Sequence, residues 1–242
     1  MLVLVIDTET TGIDPSKNKT IEMAAALVDL KTKTILKSYS CLMPSETNEA
    51  EKFNGISAEM LSSPAIKTVD LKPFLDMAKE SGCFVAHNAQ FDRSFLTRAF
   101  KDHHPEALLA SSEFKIGQVP WFCSYQNINH SDVFNTKISS RKLTHIAVDI
   151  GLVPTKAHRA LADVLTLVDI LLKIPDVNDI VEKFVSSVPP IKPLYKAHFD
   201  FHDKEIPKSH GFRWEPLDKS WRKEMSDDEV AALPFKVELV DG

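Results

Sequence analysis

Leu2-Val3-Leu4-Val5-Ile6 is an unbroken aliphatic run that stops at Asp7. A strand built from it has no polar side to offer water, so it reads as a strand covered on both faces. Strand side chains alternate, so Asp7 and Glu9 leave the end of the run on the same face. Two carboxylates at the mouth of an apolar sheet repel each other and are costly to leave unpaired. A divalent cation with hard oxygen ligands relieves that cost. A solvated strand end is the plainer alternative, and Asp-x-Glu alone does not separate the two.

The rest of the chain supplies partners for this strand. Gly12 and Asp14-Pro15 mark a turn. Strands are predicted at Ile21 to Leu30 and Thr34 to Leu42, with the charged stretch Asp29 to Lys33 turning between them. Helical spacing of Val69, Leu71, Phe74, Leu75 and Ala78 predicts a helix from Ser63-Pro64 to Lys79. Cys83 to Ala86 is a short buried strand that runs into a helix carrying Phe95, Leu96 and Ala99 on one face. Leu143 to Ile150 and the very apolar Ala160 to Ile174 are further helices. Hairpin strands followed by alternating strand and helix predict an α/β domain with a mixed sheet, over residues 1–174. Pro175, Pro189, Pro190 and Pro193 suggest a linker at 175–190 holding one short helix, Val177 to Val185, with 191–242 as a small appended α+β module.

A chain of 242 residues can bury a sizeable core, and its composition excludes collagen-like, disordered and disulfide-stapled classes. With 29 Lys+Arg against 34 Asp+Glu, the net charge of −5 argues against a protein that coats duplex through a broad basic surface. It leaves room for an enzyme that grips a few nucleotides. No run of about 18 apolar residues offers a membrane span, and Met1 to Ile6 is too short for a secretory signal. Cys41, Cys83 and Cys123 are far apart and odd in number, which fits reduced thiols in a cytoplasmic protein.

Three more residues could join Asp7 and Glu9. Asp92 opens a helix directly after the Cys83 to Ala86 strand, where a carboxylate either ligates or simply caps the helix. Asp163 sits among Leu161, Ala162, Val164 and Leu165 and needs a partner, unless it belongs to an exposed face with Thr166 and Asp169. His158 precedes Asp163 by five residues. At ~100° per helical residue the two converge only if His158 lies in the non-helical approach, for which Lys156-Ala157-His158 after Pro154 is suited. A loop imidazole with an unperturbed pKa of about 6.5 suits proton removal from water; an ordinary surface histidine is the alternative.

Four segments, in order, carry a resemblance: Asp7-Thr8-Glu9-Thr10-Thr11-Gly12, Asn54-Gly55-Ile56-Ser57, His87-Asn88-Ala89-Gln90-Phe91-Asp92, and His158-Arg159-Ala160-Leu161-Ala162-Asp163. Together they are similar to the successive motifs of the DEDDh subgroup of DnaQ-like 3′–5′ exonucleases, which includes the epsilon subunit of DNA polymerase III. Pro120 to Ser124 and Lys142-Leu143 add to the likeness. The resemblance implies a ribonuclease H-like fold in which Asp7, Glu9, Asp92 and Asp163 gather around two Mg²⁺ or Mn²⁺ ions and His158 is the general base. It implies release of 5′-mononucleotides from a single-stranded or frayed 3′ end, with DNA favoured. Thr8 and Thr10 would lie at the terminal nucleotide, Thr10 near its 3′-hydroxyl, and Phe91 would pack on its base or sugar. Asn88 would orient the loop, Asn54 stands where many relatives have histidine, and Met60 with Leu61 would wedge between the last two bases or serve the core. The alternatives are a non-catalytic nucleic-acid-binding or polymerase-associated module, an exoribonuclease acting on short RNA, and an endonuclease, which would leave oligomers.

In the appended module, Gly211-Phe212-Arg213-Trp214 and Ser220-Trp221-Arg222-Lys223 predict a hairpin. Ser226 to Glu229 reads as a capping box opening a helix, and Lys236 to Val240 as a last strand. Trp214 and Trp221 have three readings here: a core for a small fold, a stacking platform for single strands, or a surface for a polymerase or another protein.

Overall fold

The computed structural model describes residues 1–105, 116–154, 158–189, 192–216 and 219–240. The chain divides into two compact units, Met1–Pro105 with Val119–Val188, and Glu106–Gln118 with Pro189–Gly242.

The first unit begins with three antiparallel strands, β1 (Leu2–Thr10), β2 (Thr20–Asp29) and β3 (Thr34–Leu42). Two short helices follow, α1 (Glu51–Asn54) and α2 (Ala58–Leu61), then α3 (Lys72–Glu80), β4 (Phe84–Ala86) and α4 (Ala89–His103). The unit continues with β5 (Trp121–Cys123), α5 (Ser124–Asn127), α6 (His130–Phe134), α7 (Leu143–Asp149), α8 (Ala160–Lys173) and α9 (Val177–Ser187). The sheet order is β3-β2-β1-β4-β5, with β4 and β5 parallel to β1. This is the mixed sheet flanked by helices that the sequence predicts.

The two faces of β1 explain its unbroken aliphatic run. Val3 and Val5 join Ala24, Ala26 and Val28 of β2, with Val164, Leu167, Val168 and Leu171 of α8 packed on them. Leu4 and Ile6 point the other way and are also fully buried. On that side Phe74 of α3 meets Phe84 of β4 and Phe100 of α4, with ring centroids 6.3 and 5.7 Å apart. Burial on this scale, roughly 25 cal/mol per Å² of apolar surface, makes the strand a rigid platform.

Two expectations need correcting. The helix predicted from Ser63-Pro64 starts only at Lys72, preceded by a single tight turn over Pro64–Ile66. Pro73 explains the start: lacking an N–H, it fits the first turn of a helix and not its interior. The short helix expected from Val177 to Val185 within the 175–190 linker is present as α9 (Val177–Ser187), but its Val177 and Val181 are buried in the same core as α8, so this stretch packs with the first unit. Lys156 and Ala157 lie outside the described residues.

In the second unit, β6 (Leu194–Ala197), β7 (Arg213–Glu215), β8 (Ser220–Glu224) and β9 (Glu238–Leu239) form an antiparallel sheet of order β7-β8-β6-β9. A short helix, α10 (Glu205–Ser209), lies between β6 and β7, and α11 (Asp227–Ala231) between β8 and β9. The Ser226 to Glu229 capping box is formed in both directions: the Glu229 N–H donates to Ser226 Oγ at 3.3 Å, and the Ser226 N–H to Glu229 Oε2 at 2.7 Å. Trp221 is a core residue with Ala197, Phe212 and Met225, whereas Trp214, packed on it at 5.3 Å, is 40% exposed. Among the described residues no helix is long and apolar enough to cross a membrane.

Candidate active site

The face of β1 that carries Val3 and Val5 carries Asp7 and Glu9 next, and α8 covers it. The first turn of α8 holds Asp163 over the same end of the strand. Carboxylate oxygens of Asp7, Glu9 and Asp163 all lie within 4.8 Å of one another. Asp92 arrives from α4 on the opposite side of β1. It does not cap its own helix: its Oδ1 accepts both the Thr8 N–H at 3.1 Å and the Thr8 hydroxyl at 3.0 Å. That bond pair ties α4 to the strand within a buried setting.

His158 lies just before α8, as convergence with Asp163 requires. Its backbone is left-handed, with φ of +63°, and its N–H donates to Asp163 Oδ2 at 2.9 Å. A non-glycine residue held at positive φ is strained, and the bond to Asp163 helps to hold it there. His158, the four carboxylates, Thr8, Asn88 and Phe91 line one cleft of about 590 Å³. Phe91 is half-buried and tilted against Phe95 with centroids 4.7 Å apart, leaving part of its ring to the cleft.

Burial and mutual repulsion push the carboxyls above their usual range. Desolvation is the largest cause at Asp7, followed by the charges of Asp92, Asp163, Glu9 and Glu22. Glu9 is raised to about 8, by desolvation first and then by Asp163, Glu22 and Asp92, with Arg159 opposing. Desolvation raises Asp92 to about 7 against the two Thr8 hydrogen bonds, and raises Asp163 against the His158 N–H. Such a cluster fits hard divalent cations: it offers only oxygen ligands, and its negative charge is costly without one.

The remaining candidates lie outside the lining of this cleft. Thr10 spends its hydroxyl on the Gly12 carbonyl at 2.6 Å. Asn54 is buried, donates to the Thr10 carbonyl at 3.2 Å and accepts from the Ile56 N–H at 3.1 Å, so it braces the end of β1. Gly55, left-handed at φ +67°, ends α1 and lets Ser57 cap α2. Met60 is 40% exposed beside that turn, whereas Leu61 is packed in the core with Ile21 and Ile56.

Sequence reasoning missed several groups. His87, Thr144, His145 and Lys142 also line the cleft; of these, only His87 and Lys142 belong to segments that carry the resemblance. Glu22 lies directly across the β1–β2 ladder from Glu9 and is 3% exposed. It is the single charged residue between Thr20 and Val28, and a lone carboxylate in an apolar strand is itself a signal.

With this geometry established, comparison with known proteins places the chain. The RNase_T model, described as exonuclease, matches residues 4–171. The chain belongs to this exonuclease family. Residues 193–240 match a domain of unknown function (DUF8626). The chain is 30% identical over 173 residues to a PolC-type DNA polymerase III of Thermotoga maritima, covering 70% of this chain and 12% of that protein. It is 32% identical over 117 residues to the DNA polymerase III subunit epsilon of Rickettsia typhi, covering 46% of this chain and 47% of that one. The chain thus spans less than half the length of either relative. The zinc-bound E. coli ExoI–ssDNA complex matches in fold with a TM-score of 0.56 at 17% identity, over 81% of this chain and 48% of that one.

Proposed function

We propose that the chain is a metal-dependent 3′–5′ exonuclease that hydrolyses the terminal phosphodiester of a DNA strand and releases 5′-mononucleotides. The observation that carries this reading is the meeting of Asp7, Glu9 and Asp163 within 4.8 Å, with Asp92 and His158 in the same cleft. Two Mg²⁺ or Mn²⁺ ions would be held by Asp7, Glu9, Asp92 and Asp163, supplying Lewis acidity toward the attacking water and the leaving 3′ oxygen. His158 takes one proton of the attacking water as its oxygen bonds to phosphorus; the P–O3′ bond breaks with its electron pair going to the 3′ oxygen, which takes a proton from solvent water to leave as the new 3′-hydroxyl. The His158 N–H on Asp163 holds this base beside the carboxylates. Phe91 stacks on the terminal nucleotide, Thr8 holds Asp92 in place, and Asn88 sits at the N-terminus of α4 on the rim. A cleft of about 590 Å³ suits one or two nucleotides rather than a duplex. The DNA polymerase relatives support DNA over RNA, and support a polymerase as a partner.

The test is digestion of 5′-labelled single-stranded DNA, RNA, matched duplex and 3′-mismatched duplex with Mg²⁺. A ladder shortening from the 3′ end with mononucleotide product is expected, fastest on single-stranded or mismatched DNA ends. Oligomer products would replace this reading with an endonuclease. His158→Ala is expected to lower kcat by ~10²–10⁴, the usual worth of a general base, with the melting temperature within a few degrees of wild type. A loss under threefold would remove His158 from the proton transfer.

A further inference from the structure

Helix α8 starts at Ala160, and the residue before it, Arg159, provides no side-chain cap. An arginine has no acceptor to offer, so the first N–H groups of the helix need one from elsewhere. Glu22 of β2 provides it. Its Oε2 accepts the Ala160 N–H at 3.0 Å. The same carboxylate accepts Arg159 Nε at 2.9 Å on Oε2 and Arg159 Nη2 at 2.7 Å on Oε1, a two-pronged ion pair. Glu22 is therefore buried with three donors satisfied, and it stands outside the trio whose oxygens converge.

The connections continue into the site. The Arg159 carbonyl accepts the Asp163 N–H at 3.0 Å, and Asp163 in turn accepts the His158 N–H. Strand β2 is thereby locked to the one turn of chain that presents both His158 and Asp163. We propose that Glu22 and Arg159 act as a positioning pair, a borrowed helix cap that sets His158 and Asp163 against Asp7 and Glu9. The claim rests on the exonuclease reading and adds to it two residues that touch neither substrate nor ion. Arg159 has a second effect: its charge opposes the upward shift at Glu9, offsetting the negative charge that Glu22 adds beside the cluster.

The full chain with Glu22→Ala, Glu22→Gln, Arg159→Lys, and the double change Glu22→Ala with Arg159→Ala tests this. The substrate is the p-nitrophenyl ester of thymidine 5′-monophosphate, which has one scissile phosphodiester and no strand to grip. Glu22→Ala is expected to lower kcat by ~10²-fold with KM within threefold, the scale of a misplaced catalytic group. Glu22→Gln keeps an acceptor for the Ala160 N–H and is expected to recover about tenfold of that loss. Arg159→Lys keeps the charge without the fork and is expected to fall between the two. The double variant is expected to be no slower than Glu22→Ala, because the pair acts as a unit.

Two readouts do not depend on turnover. Amide hydrogen exchange at Ala160 and Asp163 is expected to speed up in Glu22→Ala, and Mn²⁺ titration is expected to give an unchanged number of sites. Loss of one Mn²⁺ equivalent in both Glu22 variants would make Glu22 a ligand and overturn the proposal. So would a double variant that is markedly slower than Glu22→Ala, or a folded Glu22→Ala enzyme within threefold of wild type. If Glu22→Ala does not fold, Glu22→Gln and Arg159→Lys decide through exchange and kcat. If the wild-type protein is inert on the ester, kcat is read on 5′-labelled single-stranded DNA, where a wild-type protein without activity would refute the exonuclease reading, while exchange and Mn²⁺ counts would still judge the pair.

Discussion

Asp7→Asn is expected to reduce hydrolysis by ~10⁴-fold or more, the scale seen when a central catalytic group is removed, and to make the metal-free protein more stable. The two effects share one cause. Asp7 lies where the buried β1 strand meets the cleft, and burial with four neighbouring carboxylates pushes its proton affinity well up. An asparagine fills the same space without a charge to desolvate and without the repulsion from Asp92, Asp163 and Glu9. It also loses the anionic oxygen through which a cation would be shared. At pH 8 with chelator present, the melting temperature is expected to rise by ~2–5 °C, the shift that 1–2 kcal/mol gives in a protein of this size. Sites that hold like charges together for chemistry commonly cost stability in this way. A fall in melting temperature under those conditions would mean that Asp7 is satisfied without metal, against the argument from repulsion.

Much of this arrangement is legible in the sequence because it follows from period and order. The Leu2 to Ile6 run demands cover on both faces, and α8 on one side with Phe74, Phe84 and Phe100 on the other supply it. The period of two puts Asp7 and Glu9 on the α8 side, where Asp163 waits. What is not legible depends on register and on bonds between distant segments. Glu22 meets Glu9 only because the ladder pairs these two residues, and the connection from Thr11 to Lys19 hides that register. The Asp92–Thr8 bonds replace the helix capping that local reasoning suggests for Asp92. Asn54 stands in a motif associated with substrate, yet its bonds run to Thr10, Ile56 and Asn48. Proline density at 175–190 implies a linker around one short helix, and that helix is α9; its burial in the core through Val177 and Val181 depends on contacts with distant segments. The two tryptophans of the small sheet divide the readings between them, since cross-strand pairing leaves Trp221 inward and Trp214 at the edge strand.

Removing divalent ions is expected to stop turnover completely and to reverse the usual pH dependence of a carboxylate-rich protein. Glu9 is raised from 4.5 to about 8 and Asp92 from 3.8 to about 7, with Asp7 and Asp163 shifted the same way. Between about pH 4 and pH 8 these four carboxyls therefore bind more protons in the folded, metal-free protein than in the unfolded chain. They outnumber His87, His103 and His130, which burial shifts downward and which oppose them below about pH 6.5. Stability changes with pH in proportion to protons bound unfolded minus protons bound folded, so here the slope is negative. The contribution is fully present below the unfolded values near 4 and is lost as pH rises through the folded values near 7 to 8. In excess chelator the melting temperature is expected to fall from pH 5 to pH 9, by on the order of 5 °C. Saturating Mg²⁺ or Mn²⁺ does the opposite, because the ion binds the deprotonated cluster and stabilises the fold more as pH rises. Titrating the ion into the protein in buffers of different ionisation enthalpy should show proton release that grows as pH falls from 8 toward 6. A metal-free melting temperature that climbs over this range would mean that the carboxyls are already ionised and compensated. Undiminished turnover after exhaustive chelation would take the ions out of the reaction.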